Sequence, residues 1–389
     1  MMLEINFDAT NTSSNDDKGK ANYEKFVKLS AKTMTYEDFF KNYMVKNLPC
    51  LIQDLMDDWP ASKDFVTISG EPNLDYLDEL IEDKNQEVPV CNCSEKYFNA
   101  QEKCSMSWQE YKTYWNGPRN EILYLKDWHL SRLLCENNSE KKIFYQTPRF
   151  FGSDFLNEYW ENAVETDDYK FVYLGPKNSW TPFHTDVYGS YSWSANVSGF
   201  KKWIFFPRYK EPKNDDVYDV QNILPDLNNP SLDLKRHENL EYFVIMQGPK
   251  EVIFVPSGWY HQVFNITDTL SINHNWFNAT NLKYILSNLI QELSKVQDEI
   301  KDCFEENNEE EWKELCQKLL LANHGMNFTT FIDLLACIYK RRKSKGEVLF
   351  STKKTRQIIY SLTKVQQKIG QIMICRDFIF EKTSPLTLL

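Results

Sequence analysis

A chain of 389 residues with 42% hydrophobic and 15% aromatic content holds too much apolar material to stay disordered. That length can bury one large core with an appendage, or two modest domains. A formal net charge of -11 has the wrong sign for a general nucleic-acid binder, so no direct DNA binding is expected and a basic protein or peptide suits the chain better.

Nine cysteines, an odd number at irregular spacings, read as free thiols of a reducing compartment rather than a disulfide framework. The first residues form no basic-then-apolar leader, and no run of about 18 apolar residues occurs. A cytoplasmic protein is expected, with the nucleus as the alternative and no membrane partner.

Residues 1–22, rich in Asn, Ser, Asp and Lys, have no periodic apolar positions and read as a disordered tail. An N-terminal α/β segment is expected over 23–165. Within it, Thr35 followed by acidic residues signals a helix start over TYEDFFKNY, leading into an extended run at Leu48 to Ile52. Helices are expected over Asp75 to Glu82 and Trp108 to Trp115, with a short apolar run at Glu87 to Val90 and an ambiguous texture between.

From Lys170 the texture changes to short β-branched and aromatic runs: FVYL (171–174), SYSWSANV (190–197), KWIFF (202–206), EVIFV (251–255), HQVFNI (261–266) and TLSINHNWF (269–277). Such strands between Gly, Pro and Asn turns predict an antiparallel sandwich or barrel over 166–278. The polar stretch from Pro207 to Leu240 is expected to be a surface insertion. Over 279–389 the period becomes helical, with Leu282, Ile285, Leu286, Leu289, Ile290, Leu293 and Val296 forming one stripe, and further helices near 309–321, 328–339 and 353–374.

The strongest chemical signal is His184-Thr185-Asp186 in TPFHTDVYG, paired with His261 in VPSGWYHQVFN. On an extended strand residues i and i+2 share a face, so His184 and Asp186 can ligate one ion while His261 arrives from a neighbouring strand. Two imidazoles and one carboxylate on one face of an octahedron suit non-haem Fe(II), because the open face can take a bidentate 2-oxo acid and then dioxygen (O2). Lys201 in GFKKWIFFP is followed by apolar residues and is a candidate cation for the far carboxylate of that acid.

TPFHTD, SYSWSANVSGFKKWIFFP and VPSGWYHQVFN resemble the JmjC-domain oxygenases, and NSWTPFHTD with YSWSANVSGFKKWIFFP resembles the JmjC domain-containing protein 4 family more closely. The resemblance covers most of the chain, including LPCLIQDLMDDWPA, YLKDWHL and YQTPRFFGSDFLNEYW ahead of the strands. It implies an α+β fold: a double-stranded β-helix, or jelly roll, with N-terminal α/β elements and a helical C-terminal region. It implies iron ligands at His184, Asp186 and His261, and 2-oxoglutarate contacts at Lys201 and Thr181. Where some relatives carry a threonine and an asparagine toward the co-substrate, this chain has Asn273 and Ser194, either of which can hydrogen-bond. The implied activity is hydroxylation of a lysyl side chain in the eukaryotic translation termination release factor. The alternatives are a histone lysine or arginine demethylase and a catalytically silent binding module.

Other features are read more plainly. Cys91, Cys93, Cys104 and His129 lack the spacing of zinc knuckles. His274 is expected in the core or beside the ligands rather than among them, and Glu305 to Glu311 as one solvated helix face. The basic run Lys340 to Arg356 is a solvated loop or a contact for an acidic partner or the ribosome. Tyr188 and Tyr191 either line the pocket entrance or belong to the core.

Overall fold

The strands form where side chains alternate between two environments, and the sheets follow from which face each strand must cover. The computed structural model describes residues 27–97, 100–137, 143–160, 169–208, 242–304 and 309–344. In chain order the strands are β1 (Lys28–Ser30), β2 (Cys50–Gln53), β3 (Glu87–Tyr97), β4 (Ala100–Ser107), β5 (Leu123–Trp128), β6 (Lys170–Gly175) and β7 (Trp180–His184). They continue as β8 (Tyr191–Ser198), β9 (Lys201–Phe206), β10 (Phe243–Gln247), β11 (Glu251–Val255), β12 (Tyr260–Asn265) and β13 (Thr269–Trp276).

One sheet runs β1-β2-β11-β8-β13-β6-β5-β3-β4 and the other β10-β9-β12-β7. Strands β6 to β13 pass between the two, antiparallel to their neighbours, and close the double-stranded β-helix that the resemblance implies. The N-terminal segment extends this core: β2 pairs with β11 at one side, and β5, β3 and β4 continue from β6 at the other.

Strand β8 shows why the interior divides. All eight of its residues are buried, yet they alternate aromatic or aliphatic with polar. Tyr191, Trp193, Ala195 and Val197 pack into the main core with Phe39, Trp59, Phe151, Phe254 and Trp276. The intervening Ser192, Ser194 and Asn196 face the opposite way, toward the space between the sheets. Part of that space is apolar, filled by Trp203, Phe205, Ile253, Val255 and Val263. At the turn from β8 to β9, Gly199 adopts φ +78°, and a Cβ there would lie 2.0 Å from the Asp268 carbonyl oxygen, so no larger residue fits.

Thr35 caps the first helix as its sequence predicts, accepting from the Asp38 amide while Asp38 bonds back. Helices form at Leu74–Leu80 and Trp108–Asn116, near the expected positions. In the C-terminal region, helices Leu282–Glu299, Glu309–His324 and Phe328–Ser344 make a second cluster with Phe155, Leu156, Tyr169 and Phe277. Ile290 departs from the predicted stripe: it is 41% exposed, because the buried line follows Leu282, Leu286, Leu289, Leu293 and Val296. The expected insertion from Pro207 and the helix at 353–374 lie outside the described residues, apart from Pro207 and Arg208. Among the described residues no helix is long and apolar enough to cross a membrane.

Phe254 is fully buried, with ring contacts to Phe39, Phe151, Tyr191 and Trp276. Phe254→Ala is expected to lower unfolding free energy by about 3–5 kcal/mol in a denaturant titration. A change under about 1 kcal/mol would show that this cluster does not anchor the sheet.

Candidate metal centre

Strand β7 ends at His184, whose cross-strand partner on β12 is His261. The two ring centroids lie 4.3 Å apart. Asp186 lies two residues beyond the strand end and is still extended, φ -61° and ψ 150°, which returns its carboxylate to the face of His184. One ligand atom from each of His184, Asp186 and His261 falls within 4.8 Å of the others, and this is the one such group of three or more His, Cys, Asp or Glu among the described residues.

The donor chemistry fits a metal ion. Nδ1 of His184 lies 2.8 Å from the Pro182 carbonyl and Nδ1 of His261 lies 3.1 Å from the Trp259 carbonyl. A carbonyl only accepts, so each Nδ1 carries the proton and each Nε2 keeps its lone pair for an ion. Burial, with the neighbouring His261, pushes the His184 pKa well below its usual value and favours the neutral, ligating form. Asp186 is oriented by Ser192, whose hydroxyl donates to Oδ2 at 2.7 Å.

The pocket beside these ligands is lined by Thr181 from β7, Lys201 and Trp203 from β9, and Val263 from β12. From the larger sheet come Tyr124, Tyr173, Ser192, Asn273 and Asn275. Lys201 is 1% exposed, and among the described residues its only hydrogen bond reaches the Tyr124 hydroxyl at 3.4 Å and no carboxylate pairs with it. Burial, with a smaller contribution from Lys126, lowers its pKa to about 7. A buried ammonium without a counter-ion is costly, and an incoming carboxylate relieves that cost. The pocket therefore fits an anionic co-substrate at the Lys201 end and a metal at the other.

Asn273 lines the pocket. Ser194 does not: it stands behind, donating to Asn273 Oδ1 at 2.9 Å. Tyr191 is core, its hydroxyl bonded to the Met44 carbonyl, and Tyr188 packs among the C-terminal helices, so neither forms the pocket wall. His274 points to the other face of β13, with Nε2 2.9 Å from Asp154 Oδ2. Cys91, Cys93 and Cys104 are free thiols, and the Cys93 thiol contacts the Trp180 carbonyl at 3.6 Å.

Sequence reasoning missed Tyr124, Tyr173, Ser192 and Asn275. Asn273 and Asn275 repeat the i, i+2 spacing of His184 and Asp186, and Ser192 sits across from Asn275 in the β8–β13 register. The spacing signal was present; the residue types were too common to weigh.

A profile of the JmjC domain, described as a hydroxylase, matches residues 171–276. The chain is 42% identical to the 2-oxoglutarate and iron-dependent oxygenase JMJD4 of Danio rerio, over 82% of this chain and 76% of that one. It is 38% identical to the human protein of that name, over 79% and 74%. It is 37% identical to the arginine-specific demethylase JMJ20 of Arabidopsis thaliana, over 78% and 68%. A converged His-Asp-His set, an unpaired buried lysine and these likenesses agree: the chain belongs to the JMJD4 family of 2-oxoglutarate- and iron-dependent JmjC oxygenases.

Proposed function

We propose that this oxygenase hydroxylates a lysyl side chain of the eukaryotic translation termination release factor in the cytoplasm. The oxygenase chemistry is carried by one observation, the convergence of His184, Asp186 and His261 beside the buried Lys201. The release-factor substrate is supported by the likeness of NSWTPFHTD and YSWSANVSGFKKWIFFP to that family. Bound iron and 2-oxoglutarate supply the activation of dioxygen needed to oxidise an unactivated carbon.

The chain's own residues prepare that chemistry. His184, Asp186 and His261 would hold the metal from one side, with Ser192 fixing the Asp186 carboxylate. Lys201, Thr181 and the Tyr124 hydroxyl would take the distal carboxylate of the co-substrate, while Trp203 and Val263 keep water from the same wall. A ribosomal contact through the basic run belongs to the proposal only for Lys340 and residues beyond 344. Arg341 donates to the Glu158 carbonyl, and Arg342 pairs with the Glu158 side chain.

The likeness to the plant demethylase favours a second reading, removal of a methyl group from arginine by the same oxidative chemistry. Peptide mass mapping after incubation with release factor, Fe(II) and 2-oxoglutarate separates the two. The expected result is the gain of one oxygen on a lysine with matching succinate; loss of a methyl from methylarginine would replace this reading with the other. His184→Ala is expected to abolish both products while the thermal midpoint of the apoprotein stays within about 2 °C, and undiminished turnover would overturn the ligand assignment.

Lys201 also sets a pH dependence. With a free pKa of about 7, raised once a carboxylate is bound, binding takes up a proton above pH 7. The KM for 2-oxoglutarate is expected to be flat below pH 7 and to rise by up to about tenfold per pH unit above it. Lys201→Ala should raise that KM on the order of 100-fold and remove the slope; a slope that persists would assign it to another group.

A further inference from the structure

Strands β5 and β6 pair as Leu125 with Leu174 and Trp128 with Val172, and the register shifts between them. Two residues of β5, Lys126 and Asp127, therefore stand opposite the single Tyr173, which is the count of a β-bulge. Leu125, Trp128, Leu174 and Val172 are buried in the main core. Tyr124 and Tyr173 face the other way and line the pocket. The extra residue brings Asp127 to that pocket side: the Tyr173 hydroxyl donates to its Oδ1 at 2.9 Å. Asp127 reaches this position through a left-handed backbone, φ +60°, a conformation that Asp tolerates and most residues do not.

Among the described pocket-lining residues the sole carboxylate is Asp186, which is committed to the metal. Asp127 is the further carboxylate that touches a lining residue, through Tyr173. Burial first, then the Asp127 charge, holds the Tyr173 hydroxyl protonated, so it remains a donor that fixes the carboxylate. The remaining oxygen already attracts an ammonium: Lys103 Nζ lies 3.6 Å from Oδ2, from a side chain 74% exposed. A pair so exposed contributes little and is readily exchanged for a better-placed cation. The neighbouring Lys126 has no hydrogen bond or ion pair among the described residues, and its charge bears on His184 and Lys201. In this cationic surround the Asp127 carboxylate, beside Tyr173, is the acidic group outside the metal ligands that would attract a cationic substrate group.

We propose that Asp127, held by Tyr173 at the β5 bulge, binds the cationic head of the substrate side chain, displacing Lys103, and so selects lysyl over neutral side chains of similar length. This rests on the lysyl reading above, and the experiment separates the two. Binding of a release-factor peptide carrying the modified lysine is compared with the same peptide carrying norleucine there, for the full-length protein and for its Asp127→Asn variant. Asparagine is chosen because it accepts the left-handed backbone and keeps a hydrogen bond to Tyr173 while losing the charge.

The unaltered protein is expected to prefer the lysine peptide about tenfold or more, and Asp127→Asn to reduce that preference below about threefold, with the KM for 2-oxoglutarate shifted less than twofold. If the unaltered protein binds both peptides equally, the lysyl reading falls and this proposal with it. If it discriminates and Asp127→Asn discriminates as strongly, the lysyl reading stands and Asp127 is not the anchor. A variant with a lowered thermal midpoint is replaced by Tyr173→Phe, which leaves the charge but frees the carboxylate; an undiminished preference and peptide affinity there would also overturn the assignment.

Discussion

The facing imidazoles of His184 and His261 are the constraint on which the site depends. They are a cross-strand pair, so their separation is set by the hydrogen-bonded register of β7 and β12 rather than by side-chain choice. Each ring is then turned by a carbonyl two residues earlier in the chain, from Pro182 within β7 and from Trp259 just before β12. Register fixes distance and the backbone fixes orientation, so only Asp186 needs help from outside, which Ser192 provides. A one-residue slip of either strand would send its histidine to the opposite face, and no rotamer change could restore the pair.

The larger sheet answers a different demand. It must present an apolar face to the aromatic core and a polar face to the pocket, and strict alternation along β8 and β13 satisfies both with the same residues. Ile272, His274 and Trp276 turn away from the pocket, while Asn273 and Asn275 line it. His274 shows that residue type alone does not make a ligand. It is buried on the wrong side, against Trp193, Tyr145 and Tyr169, with Asp154 as its acidic neighbour.

Much of this was legible in the sequence because the signal is periodic. The runs at 171–174, 190–197, 202–206, 251–255, 261–266 and 269–277 all fall on strands, and HxD with a later histidine marks the site. Of β3 only the run at Glu87 to Val90 was legible, and β4 was obscured because it carries Gln, Glu, Lys and Ser at the edge of the sheet, where packing does not enforce an apolar face. Strand β10 lies after the polar stretch of sequence and among the described residues pairs only with β9, so five residues had to declare it alone. Tyr124 was missed for a tertiary reason: it becomes a pocket residue because β5 extends the sheet from β6 of the β-helix, where Tyr173 stands.

That junction also bears on the charges around the pocket. Lys201 enters on the smaller sheet and has no carboxylate partner among the described residues, so its surroundings favour anions. Asp127 enters on the N-terminal extension of the larger sheet, where the bulge gives its carboxylate to Tyr173. Were the two brought together, they would neutralise each other, and the cavity would lose both its grip on an acid and its attraction for a cation. Lys201 donates to the Tyr124 hydroxyl and the Tyr173 hydroxyl donates to Asp127, so each charge is held by a different tyrosine. The ordinary pairing rules of the sheets thus bring a buried cation into the pocket and a carboxylate to one of its lining tyrosines.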